Sequence, residues 1–192
     1  VPPFHLEGKR ALVITTSHGE LGDTGRKTGV FGSEMSVPYY VFLDAGMEVD
    51  IASIKGGKIP VEPYSMGWPI ATREDRRFRK DPEAMRKLEN SIPISEIDPT
   101  DYDVYFMAGG WGAAYDLAQS PVLADLVAKA HANDRVVSSV CHGALGLVSA
   151  KNEDGTPLLA GRKATGVTDR QIRQLGIQVT PLHPETEMRK VG

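Results

Sequence analysis

The chain predicts an α/β domain built on a doubly wound, mostly parallel sheet with helices on both faces. Three observations carry that expectation. Short β-branched runs alternate with amphipathic helical stretches. The connections between the runs are a dozen residues or longer, too long for hairpins and suited to crossovers. The residues best suited to chemistry fall directly after the runs, where parallel sheets gather their ligand-binding loops.

Ala11-Leu12-Val13-Ile14-Thr15-Thr16 reads as the first buried strand, followed by a polar, glycine-rich loop over 17–32. Val37, Tyr40, Val41 and Phe42 recur at helical spacing, with Pro38 placed in the first turn and Ala45-Gly46 as the close. Glu48 to Ser53 reads as the second strand. The segment from about 61 to 90 is polar, mixing Arg73, Arg76, Arg77, Arg79 and Lys80 with Glu74, Asp75 and Asp81. It predicts a surface excursion with one or two short helices and a solvated charged face. Asp103 to Met107 is a third strand, ending at Gly109-Gly110-Trp111-Gly112. Ser120-Pro121 opens a helix whose apolar stripe is Val122, Leu123, Leu126, Val127 and Ala130. Arg135 to Val140 is a fourth strand running into Cys141-His142-Gly143 and a helical stretch from Ala144 to Val148. Lys163 to Val167 is a weaker strand, Thr168-Asp169 caps a helix through Leu175, and His183-Pro184-Glu185 precedes a final helix.

Composition narrows the function classes. The chain has 192 residues, 41% hydrophobic and 24% charged, which fits one folded domain over 1–192 rather than disorder. A net charge of −3 disfavours a nucleic-acid binder. No apolar run is long enough to span a membrane. Val1-Pro2-Pro3-Phe4-His5 does not read as a signal peptide. Cys141 is the single cysteine, which excludes an internal disulfide and suggests a reducing, cytoplasmic setting. His5, His18, His131, His142 and His183 include no His-x-x-x-His pair, so no metal site is expected. Gly19, Gly22 and Gly25 mimic a phosphate loop, but Glu20 and Asp23 would repel phosphate and no Gly-Lys-Ser/Thr follows.

Cys141 sits between a strand and a helical stretch, which has the logic of a nucleophile elbow: a sharp turn lifts the side chain above the sheet. A helix N-terminus beneath the sulfur would favour the thiolate. The plain alternative is a buried, inert cysteine. His142 could orient the sulfur or shuttle protons, or simply pack. The backbone N–H of Gly110 suits an oxyanion hole, or Gly109 to Gly112 is an ordinary tight turn. Glu34 opens the first helix, where the dipole favours an acid; beside Cys141 it should be partly protonated.

With these residues in place, the chain resembles the ThiJ/PfpI superfamily on the class I glutamine-amidotransferase-like, flavodoxin-like fold. The likeness is strongest to its heat-shock-chaperone and glyoxalase III branch. It rests on Thr28-Gly29-Val30 through Glu34, Val49-Asp50-Ile51-Ala52-Ser53, Gly109-Gly110-x-Gly112, Val140-Cys141-His142-Gly143, Gly155-x-Pro157-Leu158 and Thr165-Gly166-x-Thr168-Asp169, and covers most of the chain from Lys9 onward. The resemblance implies a Cys141 nucleophile with His142 beside it, Glu34 hydrogen-bonded to the thiol, and an oxyanion site from the Gly110 and His142 backbone. It implies a homodimer, no cofactor, and a small α-oxoaldehyde substrate such as methylglyoxal, converted to a 2-hydroxy acid without glutathione. Deglycation is a related family activity. A holdase chaperone with a redox-sensing cysteine, using Trp68, Trp111 or the dimer surface, is the first alternative; a cysteine hydrolase or amidotransferase is the second.

Three departures from the family pattern follow. Trp111 stands where the branch commonly has histidine. The place of the triad acid reads Arg170-Gln171-Ile172-Arg173, leaving Asp169 as the local carboxylate. The family's C-terminal strand and helix are expected to be absent from the chain.

Overall fold

A computed structural model describes residues 5–177 and 179–192; the opening residues read as lacking a signal peptide lie, except for His5, outside them. Five strands form one parallel sheet: β1 (Arg10–Thr15), β2 (Glu48–Ser53), β3 (Ile92–Pro93), β4 (Val104–Met107) and β5 (Val136–Ser139), in the order β3-β2-β1-β4-β5. The chain steps outward from β1 to β3, returns to β4 on the other side and ends at β5. The switch in direction falls between β1 and β4, where open α/β sheets form their binding crevice.

β1 explains why the sheet is covered on both faces. Leu12 and Ile14 point into one core with Tyr105, Met107, Leu123, Val127 and Leu145. Ala11 and Val13 point the other way, into a core with Met35, Tyr39, Tyr40, Ile51 and Phe78. A strand with a period of two and both faces buried reads as a continuous apolar run. Burying each large aliphatic side chain contributes roughly 1.5–3 kcal/mol.

The second core is closed by α1 (Gly32–Asp44), α2 (Arg73–Phe78) and α3 (Pro82–Glu89). α1 begins six residues before Pro38, so that proline lies mid-helix rather than in the first turn. It removes the N–H that would bond the carbonyl of Glu34. The inward face of α1 is Met35, Ser36, Tyr39 and Tyr40, and Val41 of the expected stripe is 58% exposed.

The 61–90 segment forms the two short helices expected, and the side chains of its basic run do face solvent. It is more than a surface excursion, however. Phe78 is buried edge-on against Tyr39 and Tyr40, and Asp75 is fully buried, accepting the Ser36 hydroxyl at 2.6 Å.

On the other face lie α4 (Ala113–Asp116) and α5 (Pro121–Ala132). Ser120 caps α5 by accepting the Leu123 N–H at 3.1 Å, with Pro121 at the first helical position. Val122 turns outward instead of joining the stripe. The stretch after β5 is a 3-10 helix over Cys141–Leu147. Lys163 to Val167 is not a strand: the Val167 N–H goes to the Cys141 carbonyl at 3.3 Å, so the segment is tied to the elbow instead of a sheet ladder. α6 (Asp169–Leu175) starts at a capping box of Thr168 and Gln171, and α7 (Pro184–Lys190) follows His183.

Candidate active site

Parallel strands place all their carboxyl ends on one edge, so the loops after β1, β4 and β5 meet there. Cross-bonds lock them together. The Phe31 N–H bonds the Gly109 carbonyl at 3.2 Å, and the Gly112 N–H bonds the Gly29 carbonyl at 3.3 Å. The 61–90 segment fixes the start of α1 from outside, through the Gly32 N–H to Ser65 Oγ at 2.9 Å and the Glu62 N–H to the Val30 carbonyl at 2.9 Å. Glu34 is thereby held at the head of α1, over the sheet edge.

Cys141 has φ of 55°. A non-glycine residue in the left-handed region stores roughly 1–3 kcal/mol of strain, and here the surroundings enforce it. Gly143 has no room for a side chain, because a Cβ there would strike the Met107 carbonyl. The turn can therefore press against the end of β4 and lift the sulfur clear, as an elbow requires.

The sulfur meets three kinds of partner. The Glu34 carboxyl lies beside it and acts on its protonation. The backbone N–H groups of Gly110 and His142 also act on it, and neither is committed to another backbone acceptor among the described residues. His142 Nδ1 stands 3.5 Å from Sγ. Gly110 takes φ of 107° against the Gly29 carbonyl and the Phe31 N–H, a conformation and a fit that only glycine supplies. Gly109 matters as much: a Cβ there would collide with Glu34 Oε2 and come within 2.8 Å of His142 N and 2.9 Å of Cys141 Cβ. The sequence reading singled out Gly110 within this loop; the contact that forbids a side chain at Gly109 is visible only once the two other loops arrive.

The electrostatics correct the expectation of a resting thiolate. Burial, and then the Glu34 charge, push the Cys141 thiol up to about 12, against the opposing pull of the His142 and Gly110 N–H groups. The motif that follows is a 3-10 turn rather than a full α-helix, and it does not outweigh burial and the neighbouring carboxylate. Burial likewise raises the Glu34 carboxyl to about 7, with hydrogen bonds to Cys141 and the Gly109 backbone pulling it down. The pair therefore holds its protons as a thiol beside a carboxyl that titrates near neutrality. Burial, followed by the positive charge of His183, lowers His142 to about 4, so its ring is neutral.

Trp111 is 6% exposed and packs edge-on against the His142 ring, with centroids 5.0 Å apart. It shields the histidine and is not part of an exposed apolar patch. Trp68 is 94% exposed, in a loop with Tyr64 and Ile70. Asp169 does not reach His142: its Oδ2 accepts the Thr186 hydroxyl at 2.7 Å, and its Oδ1 lies 3.9 Å from His183 Nδ1. A cavity of about 550 Å³ opens onto Cys141 between β5 and α6, lined also by Ser139, Thr165, Val167, Gln171 and Leu175. Among the described residues no group of three or more His, Cys, Asp or Glu side chains is placed to hold a metal ion, and no helix is long and apolar enough to cross a membrane.

Known proteins resemble this chain in sequence and fold. The "Glutathione-independent glyoxalase HSP31" of Saccharomyces cerevisiae is 32% identical over 175 residues, covering 88% of this chain and 73% of that protein. The crystal structure of glyoxalase III from Candida albicans superposes with a TM-score of 0.86 at 30% identity, covering 96% of this chain and 80% of that one. Rapid Encystment Protein 24 kDa of Francisella tularensis superposes with a TM-score of 0.90 at 29% identity, over 96% of this chain and 81% of that one. The DJ-1/PfpI family model matches residues 27–180. With that match spanning the strand-end loops that carry Glu34, Gly110 and Cys141, the chain belongs to the DJ-1/PfpI family.

Proposed function

We propose that the protein is a glutathione-independent glyoxalase acting on small α-oxoaldehydes, with Cys141 as nucleophile and Glu34 as the proton carrier. The observation that carries the reading is the buried Glu34 carboxyl packed over the Cys141 turn, so close that a single methyl at Gly109 would strike Glu34 Oε2 and come within 2.9 Å of Cys141 Cβ. The names of the relatives at about one-third identity support the same chemistry.

The steps balance without an external oxidant. Sγ bonds to the aldehyde carbon while the thiol proton passes through Glu34 to the carbonyl oxygen, giving a hemithioacetal. That oxygen sits where the Gly110 and His142 N–H groups can hold developing negative charge. Glu34 as carboxylate then takes the proton from the former aldehyde carbon and returns it to the neighbouring carbon. The hydroxyl proton of the hemithioacetal passes at the same time to the ketone oxygen, so the first carbon is oxidised to a thioester as the ketone is reduced to an alcohol. Water cleaves the thioester, releasing the 2-hydroxy acid and regenerating the thiol. A carboxyl group poised near the working pH suits both halves of this transfer.

The homodimer implied by the resemblance belongs to this proposal, with sedimentation velocity as its check, as does a reducing, cytoplasmic setting consistent with a lone cysteine. The exposed Trp68, Tyr64 and Ile70 favour a second activity, the holdase reading, in which this loop binds unfolded chains.

The test is lactate formation from methylglyoxal in glutathione-free buffer. The wild type should produce lactate, and Cys141→Ala should lose it by about three orders of magnitude or more. Retained turnover in Cys141→Ala would remove the cysteine mechanism.

A further inference from the structure

The loop that carries the Gly110 N–H runs straight into α4. Gly109 lies on the Cys141 turn, where a Cβ would come within 2.8 Å of His142 N and 2.9 Å of Cys141 Cβ. From there the N–H groups of Ala113, Ala114 and Tyr115 bond the carbonyls of Gly110, Trp111 and Gly112 at 3.2, 3.2 and 3.0 Å. Loop and helix are therefore one piece. α4 has four residues, and its N-cap, Gly112, makes no side-chain cap. A single turn is far too short to hold itself in water, so it needs fastening from outside.

Asp116, the last residue of α4, supplies the fastening. An acid at the C-terminal end of a helix opposes the dipole, so helix formation does not account for it. Both of its oxygens are used on the segment that leaves β1. Oδ1 accepts the Thr16 hydroxyl at 2.8 Å, and Oδ2 accepts the Ser17 N–H at 2.8 Å. Thr16 is fully buried, and its Oγ1 accepts the His18 N–H at 2.9 Å. Tyr115 adds a second strap, its ring stacked on His18 with centroids 4.2 Å apart. Gly112 lets the two segments close, since a Cβ there would lie 2.5 Å from the His18 carbonyl and 2.8 Å from Thr16 Cγ2.

We propose that Asp116 is a positioning residue: by clamping α4 to Thr16 and Ser17 it fixes the Gly109–Gly112 loop and so aims the Gly110 N–H at the Cys141 sulfur. Its catalytic consequence rests on the glyoxalase reading; the clamp itself does not. The residue type follows from the donors. Ser17 presents an N–H that cannot turn round, and Thr16 a hydroxyl that can. A carboxylate accepts both. An amide can accept from Ser17 with its oxygen and donate to Thr16 with its nitrogen, so asparagine keeps most of the clamp. Alanine keeps neither bond.

The experiment is amide NMR on nitrogen-labelled wild type, Asp116→Ala, Asp116→Asn and Thr16→Val, with kcat and KM for methylglyoxal measured per folded molecule alongside. The Gly110 resonance should shift in Asp116→Ala and return close to its wild-type place in Asp116→Asn. The His142 resonance, on the loop after β5, should move far less. Turnover in Asp116→Ala should fall about 10- to 100-fold in kcat with KM nearly unchanged, and Asp116→Asn should recover most of it. A Gly110 resonance that stays in place, or moves no more than that of His142, overturns the assignment even if activity drops. Should Asp116→Ala fail to fold, Thr16→Val removes one of the two bonds and must still shift Gly110, or the assignment falls. A wild type that does not turn over methylglyoxal counts against the glyoxalase reading and leaves the NMR comparison to decide the clamp.

Discussion

The 61–90 segment and the Cys141 elbow both bury charged or polar side chains, yet they treat them in opposite ways. In the first, Asp75 is saturated: Ser36 donates to one oxygen at 2.6 Å, and the Thr72 N–H and hydroxyl donate to the other at 2.8 and 2.9 Å. Glu62 accepts the Thr28 hydroxyl at 2.6 Å. At the elbow, Glu34 Oε2 and His142 Nε2 are buried with no partner among the described residues. Satisfied buried groups specify a structure; unsatisfied ones keep hydrogen-bonding capacity in reserve for something that arrives later. The contrast also assigns a task to the polar segment, which is to hold α1 so that Glu34 has no freedom to leave the sulfur.

The largest expected break in this comparison is Glu34→Gln, which keeps the shape and removes the proposed proton carrier. It should lower kcat by roughly 10²- to 10⁴-fold. In the wild type, kcat/KM should rise with pH through about 7 as the carboxylate forms, and that limb should vanish in the variant.

The same substitution should raise stability. The unfolded carboxyl loses its proton near 4.5 and the folded one near 7. The wild type therefore loses stability as pH rises between these values and stays level above. Glu34→Gln should be more stable above pH 7 by up to about 3 kcal/mol, a gap that closes as pH falls toward 4.5, measured by urea denaturation. An inactive variant that is more stable marks an acid placed for chemistry.

Gly109→Ala forces a methyl group between Glu34 and Cys141. It should cost about 1–3 kcal/mol of stability and displace the carboxyl, with activity lost out of proportion to unfolding. Asp75→Asn reverses the pattern: one acceptor becomes a donor inside a saturated network. It should cost about 1–3 kcal/mol in denaturation, while the folded protein keeps the wild-type pH profile. Trp68→Ser should change stability by no more than about 0.5 kcal/mol and leave lactate formation intact; a loss of aggregation suppression in that variant would support the holdase activity.

Much of the architecture was legible because a parallel sheet writes itself as apolar runs with long crossovers. β3 escaped because two residues, Ile92 and Pro93, carry no periodicity. Lys163 to Val167 misled because its residues suit a strand, while its observed hydrogen bond goes to Cys141. Pro38 misled because helices rarely admit a proline past the first turn, and this one does. In the site, Glu34, Gly110, Cys141 and His142 were legible since each follows a strand, and strand order alone gathers them. One thing was not: the state of the thiol depends on burial, which no motif records.

The central claim is that Glu34 carries a proton near neutrality beside the Cys141 sulfur. Infrared difference spectroscopy across a pH titration, in wild type and Glu34→Gln, reads it directly. The account predicts a protonated carboxyl band that disappears with a midpoint near pH 7 and is missing from the variant. A wild type with no such band at pH 6, its buried carboxyl already ionised, would contradict it.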